Sequence, residues 1–190
     1  MSCRAGFVWE TPLHFVRYIE DCGVPCELVT PHMLAAPFFR GSFSCLIIPT
    51  GFGNPAYCRL LPALRASSDR IRKFVENGGS LLVFGAAIDK PDAYDWLPFP
   101  VTYRHDVSPR NITCGSELGS ALVEDYDPGR IECDGTFPSH GGTTAGSAGD
   151  LPVIIEHRIG NGKVIVTSLH EYPSRAFVKK FCSGDTQTLF

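Results

Sequence analysis

Apolar residues in this chain fall into short continuous runs, separated by segments in which they recur every three or four positions. Phe7-Val8-Trp9 is a first short strand. Leu13, Val16 and Ile19 follow at helical spacing, with Thr11 as N-cap and Pro12 in the first turn. A helix is therefore predicted from Pro12 to about Cys22, closed by Gly23. Cys26-Glu27-Leu28-Val29 is a second strand, and Met33 to Phe39 has room for a helical turn broken by Pro37. Ser44-Cys45-Leu46-Ile47-Ile48-Pro49 is almost continuously apolar, as a parallel strand buried on both faces is. Leu60 to Asn77 is helical through Leu61, Leu64, Ile71, Phe74 and Val75, with Pro62 and Ser67-Ser68 dividing it in two. Leu81-Leu82-Val83-Phe84 is a fourth strand, and this alternation of strands and helices predicts an α/β sheet with a parallel core.

Beyond Gly85 the pattern weakens. Pro91, Pro98, Pro100 and Pro109 break up the next segment, Leu118 to Val123 reads as a helical turn, and Arg130 to Thr136 as a strand ending at Asp134-Gly135. Ser139 to Gly149, rich in Gly, Ser, Thr and Ala, reads as a mobile surface loop. Val153 to His157 and Lys163 to Ser168 flank Gly160-Asn161-Gly162, a hairpin signal. The tail from about Val178 is weakly patterned, and with no repeat or linker in view residues 1–190 are read as one domain.

Composition narrows the function classes. The 190 residues suffice for one domain with a full core, and 44% apolar with 19% charged residues is ordinary for a globular chain. A net charge of -3 argues against a nucleic-acid partner, which calls for a basic stripe. No run approaches a membrane span, and Met1 to Gly6 is too short for a signal peptide, so the expected location is cytoplasmic. Eight cysteines form no C-x-x-C pair, and the histidines show no ligand spacing, so no metal site and no cofactor are expected and the thiols are read as structural.

The stretch Asn77-Gly78-Gly79-Ser80-Leu81-Leu82-Val83-Phe84-Gly85-Ala86-Ala87-Ile88 holds the sharpest clue. It is a helix stop, a buried strand and a tight turn of very small residues. Strand-to-helix corners of this kind lift a nucleophile clear of the sheet, yet this one carries only Gly and Ala. The scaffold of a nucleophile elbow is kept and the nucleophile is missing.

The order of elements, the loop Pro49-Thr50-Gly51-Phe52-Gly53, the run Glu76 to Leu82 and the late Gly160-Asn161-Gly162-Lys163-Val164-Ile165-Val166 resemble the class I glutamine amidotransferase-like superfamily. The nearest branch is the domain at the N-terminus of some biotin-protein ligases, with trehalose-utilisation-type relatives similar in the same places. The resemblance spans roughly residues 5 to 175. It implies a flavodoxin-like three-layer sandwich with a mainly parallel sheet and a late β-hairpin. In that branch a Pro-Gly-Gly loop, an Asn-Gly-Gly segment and a terminal His-Pro-Glu surround a nucleophilic Cys. Here Gly51-Phe52-Gly53 stands for the first, Asp134-Gly135 for the second, His170-Glu171-Tyr172-Pro173 for the third, and Gly85 for the Cys.

These correspondences define the candidate site. Glutaminase chemistry needs a thiolate, a base and oxyanion donors, and Gly85 provides no nucleophile, so that activity is expected to be absent. His170 follows an apolar strand, where α/β sheets place ligand-facing side chains, and Glu171 either orients its ring or points the other way. Gly51, Phe52, Gly53 and Asn54 form either a nest of backbone N–H groups or simply a tight turn. Gly85, Ala86, Asp89 and Asp134 complete the ligand-binding candidates, Asp89 as an acid or base or else as part of a solvated turn. Three functions fit: a domain binding a small molecule or a partner protein over the vacated elbow, a hydrolase or transferase using His170 with Glu171 or Asp89, and a subunit serving homo-oligomer assembly.

Overall fold

Residues 4–127, 129–182 and 188–190 are described in the computed structural model. In chain order the elements are β1 (Ala5–Val8), α1 (His14–Asp21), β2 (Cys26–Val29), α2 (Pro31–Ala35), β3 (Ser42–Phe43), β4 (Cys45–Ile48), α3 (Leu60–Ala66), α4 (Ser68–Glu76) and β5 (Ser80–Val83). Then come β6 (Val101–Arg110), β7 (Thr113–Cys114), α5 (Glu117–Leu122), β8 (Ile131–His140), β9 (Thr143–Ala148), β10 (Leu151–Ile159), β11 (Gly162–Thr167), α6 (Arg175–Cys182) and β12 (Thr188–Leu189).

Eight strands form the main sheet in the order β2-β1-β4-β5-β11-β10-β9-β7. The first five are mutually parallel, and β10, β9 and β7 continue antiparallel. This is the flavodoxin-like three-layer sandwich, with β10–β11 as its late hairpin. The chain steps from β1 to β2 in one direction and from β4 to β5 in the other. Right-handed crossovers therefore put α1 on one face and α3 and α4 on the opposite one. Helix α6 joins the α1 face, where the Tyr18 hydroxyl donates to the Pro173 carbonyl at 2.7 Å.

Local sequence explains the joints. Phe15 and Ile19 are the buried positions of α1, and the Phe15 ring meets Phe7 and Phe84 edge-on at 5.7 and 5.5 Å. Gly78, at φ 109°, ends α4 in a conformation that a side chain resists. A Cβ on Gly79 would lie 2.4 Å from the Phe74 ring, so the second glycine lets the strand pass under the helix.

Several sequence expectations are revised. The helix expected from Pro12 begins at His14, with Leu13 as N-cap. The segment 139–149, read as a mobile loop, is the end of β8 and strand β9. Its small residues answer close packing: a Cβ on Gly146 would come within 2.8 Å of Ile154. The proline-rich stretch contains the ten-residue β6. It belongs to a two-stranded ribbon with β8, and a strand with one free edge tolerates Pro109. The weakly patterned tail holds most of α6, whose Phe177 and Phe181 are buried, and β12, which pairs with β3. The intervening residues 183–187 lie outside the described residues.

Among the described residues seven cysteines are free thiols, and no helix is long and apolar enough to cross a membrane.

Candidate functional site

Strand register brings the carboxyl ends of the parallel strands level. Ile48, Val83 and Val166 are direct partners across β4, β5 and β11, so Thr50, Gly85 and Ser168, each two residues further on, emerge side by side. This carboxyl-end edge, which includes the reversal of strand order between β1 and β4, is where open α/β sheets place ligands. The β6–β8 ribbon then crosses above it. The Asp134 N–H donates to the Ser168 carbonyl at 2.6 Å and the His170 N–H to the Glu132 carbonyl at 2.9 Å. These bonds pin Asp134 directly over the elbow.

Asp134 is the centre of the site. It is 2% exposed, and a Cβ built on Gly85 would lie 2.6 Å from its Oδ2 and 2.8 Å from its Cβ. The aspartate thus fills the space that an elbow side chain would need. Its Oδ1 lies 3.0 Å from His170 Nδ1. The Thr50 hydroxyl and His105 also face the carboxylate, yet Oδ2 has no hydrogen-bond partner among the described residues. Burial pushes the Asp134 carboxyl above its usual range, against the opposing pull of His170, Thr50 and His105.

The His170 side chain is 54% exposed. With the carboxylate ionised it accepts from Nδ1–H, which leaves Nε2 as a proton acceptor open to the surface. Glu171 turns elsewhere: its Oε1 accepts from the Glu132 N–H at 3.1 Å. It secures the strand that carries Asp134 and does not orient the imidazole. Neighbours on an extended backbone face opposite ways, and of the two His170 is the one that faces the elbow.

The glycine loop is largely bonded to itself. The Gly51 N–H, at φ 92°, donates to the Gly85 carbonyl at 2.8 Å, and the Asn54 N–H donates to the Gly51 carbonyl at 3.0 Å. Asn54 Nδ2 donates to the Ala87 carbonyl at 3.0 Å. Phe52 is buried, edge-on to Tyr94 and Trp96. Gly53 passes so close to the elbow that a Cβ there would meet Ala86 at 2.9 Å. The loop therefore holds the elbow, with Gly51 and Asn54 drawn away from any anion-binding nest.

Two tyrosines that sequence reasoning passed over close the elbow from the other side. The Tyr94 hydroxyl donates to the Phe84 carbonyl at 3.0 Å and faces the Ala86 N–H. The Tyr103 hydroxyl donates to the Asp134 carbonyl at 3.0 Å, lies 3.2 Å from His105 Nδ1 and faces the Ala87 N–H. The amides that follow a nucleophile in such corners serve as oxyanion donors; here phenols cover them. Burial, and after it the Asp134 carboxylate, push the Tyr103 hydroxyl well above its ordinary range, so it stays protonated. Ala87, at φ 52°, is the non-glycine with positive φ among the described residues, held there by Asn54 and Tyr103. Asp89 is exposed and near enough to Tyr103 to act on its charge. The one signal for Tyr103 was its place two residues after Val101 in a segment that proline made hard to read as a strand.

Among the described residues no group of His, Cys, Asp and Glu has the arrangement of a metal centre. The broad surface cleft of about 760 Å³ beside Glu10, His32 and Arg59 contains none of these site residues.

No protein-family model matches the chain, and no curated protein matches it in sequence. Solved structures share its fold. It is similar to Cytoplasmic Protein STM3548 from Salmonella typhimurium, at a TM-score of 0.57 and 12% identity over 97% of this chain and 99% of that one. Cytoplasmic Protein STM1381 from Salmonella typhimurium LT2 is similar at 0.54 and 13% identity, over 93% of each chain. A beta-galactosidase from Bacillus circulans sp. alkalophilus matches at 0.56 and 10% identity, over 93% of this chain and 30% of its own. The same architecture thus occurs both as nearly a whole chain and as a part of a larger one.

Proposed function

We propose that this chain is a non-glutaminase member of the class I glutamine amidotransferase-like superfamily that binds a small molecule through His170 above the filled elbow. The observation that carries the reading is the Asp134 carboxylate, which stands where the elbow side chain would project and is joined to His170 at 3.0 Å. Thiol chemistry at residue 85 has neither a nucleophile nor room for one. What the site offers instead is an imidazole of fixed tautomer, backed by a buried carboxylate and open at Nε2. Such a group recognises a ligand hydroxyl or N–H. The two Salmonella proteins of this fold are cytoplasmic proteins, which is in keeping with a cytoplasmic setting here.

A second reading rests on the same pair. A carboxylate that holds Nδ1–H makes Nε2 a general base for a water or a substrate hydroxyl, which gives hydrolase or transferase chemistry with Asp134 in the place expected for Glu171 or Asp89.

A thermal-shift screen of hydroxyl- and amide-bearing metabolites, glutamine included, tests the binding reading on the wild type and His170→Ala. A true ligand at a hundredfold excess over its Kd stabilises by about 2.7 kcal/mol, and His170→Ala should lose that gain. Compounds that stabilise both proteins equally would remove His170 from the site. Ammonia release from glutamine that disappears on replacing a single cysteine would overturn the non-glutaminase assignment.

A further inference from the structure

A second cavity lies on the opposite edge of the fold, independent of the His170 site. It encloses about 330 Å³ between the β10–β11 hairpin and helices α5 and α6, with Leu118, Ala121, Phe177 and Phe181 among its apolar lining. That volume is at the lower end of small-molecule sites. Phe177 and Phe181 stack at 5.1 Å with their planes 13° apart, and both rings line the cavity.

The charges around this cavity do not balance. Arg158, Lys163 and Lys180 line the cavity together with Glu117 and Glu156, three cations against two carboxylates. Glu156 Oε1 lies 3.3 Å from Arg158 and Glu117 Oε1 lies 3.1 Å from Lys180. Lys163 is left with no carboxylate within ion-pair distance among the described residues. Its Nζ sits 5.1 Å above the Phe181 ring centre, a half-buried ammonium on an aromatic face. Its register partner on β10 is Arg158, another cation. Burial first and then the nearby Arg158 lower its pKa against the weaker pull of Glu156, so a bound anion would relieve an unfavourable placement.

We propose that this cavity binds a small organic monoanion, a carboxylate carried on a flat apolar body, with the carboxylate on Lys163 and the body against Phe177 and Phe181. Among the described residues Lys163 is the lining cation with no carboxylate at ion-pair distance, and it sets the ligand charge while the phenyl rings set the ligand's apolar character. The two carboxylates on the rim disfavour dianions.

Calorimetric titration with 2-naphthoate, and with the neutral 2-naphthamide as its isostere, tests this on the full chain. The acid should bind at least about tenfold more tightly than the amide, as a charge-assisted bond implies. Lys163→Met, which keeps the stem and removes the charge, should erase that preference, while Lys163→Arg should retain it and His170→Ala should leave it unchanged. No binding of 2-naphthoate to the wild type, equal affinity for acid and amide, or a preference that survives in a folded Lys163→Met would overturn the proposal. The acid–amide comparison needs only the wild type, so it decides even if a variant fails to fold.

Discussion

Gly85→Ala is the most direct probe of the filled elbow. The added methyl would sit 2.6 Å from Asp134 Oδ2, 2.8 Å from its Cβ and 3.2 Å from its Cγ. Ordinary carbon contacts are about 3.5–4.0 Å, so the strand bearing Asp134 or the elbow itself must yield by roughly 1 Å. Gly85 is not among the positive-φ glycines, which leaves steric overlap as the penalty without any backbone strain. Overpacking of this kind costs about 1–3 kcal/mol, or about 2–12 °C in Tm for a domain of this size. Calorimetry or urea unfolding would measure it. The decisive control is the double variant with Asp134→Gly, which removes the atoms in conflict. The penalty of Gly85→Ala should then shrink, giving a coupling of at least about 1 kcal/mol in a double-mutant cycle. If Gly85→Ala leaves Tm unchanged, or costs as much without the Asp134 side chain as with it, the aspartate does not fill the elbow.

The remaining predictions concern the groups that hold this arrangement. Burial raises the Asp134 carboxyl, so the native state holds its proton at pH values where the unfolded chain, near 3.9, has released it. The stability this adds is present below that value and is lost as pH rises through the raised one. Urea unfolding from pH 3.5 upwards should therefore show the wild type losing ground against Asp134→Asn; a wild type that gains instead would mean that His170 outweighs burial. Arg70 donates to the carbonyls of Leu34, Ala36 and Phe39 at 2.9–3.1 Å and lies 4.4 Å over the Phe190 ring. Arg70→Ala should cost on the order of 2 kcal/mol in urea unfolding. Arg70→Lys should not recover it, since a point charge cannot serve three carbonyls at once; full recovery would place the effect in charge alone.

The first half of the fold was legible because each parallel strand is buried on both faces and each helix has a clean apolar stripe. Cys45 to Ile48 and Ser80 to Val83 are buried at every position, so their apolar runs report the core directly. Beyond Gly85 the signals were masked by packing rather than absent. Strand β9 is built of small residues because Gly146 must clear Ile154 and Ala145 approaches Gly119, and composition of that kind reads as a loop. Among the described residues strand β6 pairs with β8 alone, so Pro109 and exposed polar residues interrupt its alternation without ending it.

The site divides in the same way. Gly85, His170 and Asp134 were identifiable because each stands at a short motif, and strand register does bring their backbones to one edge. How they are connected lay in the crossing of the β6–β8 ribbon, which no local pattern encodes. Glu171, adjacent in sequence to His170, supports Glu132, whereas Asp134, thirty-six positions away, is the carboxylate that holds the ring. The glycine at the corner and the aspartate above it are consequently one feature. A side chain at 85 and the Asp134 carboxylate compete for the same space, so each disfavours the other. With Gly85 in place the corner accommodates a buried carboxylate joined to His170, and the imidazole is the half of that pair that reaches the surface.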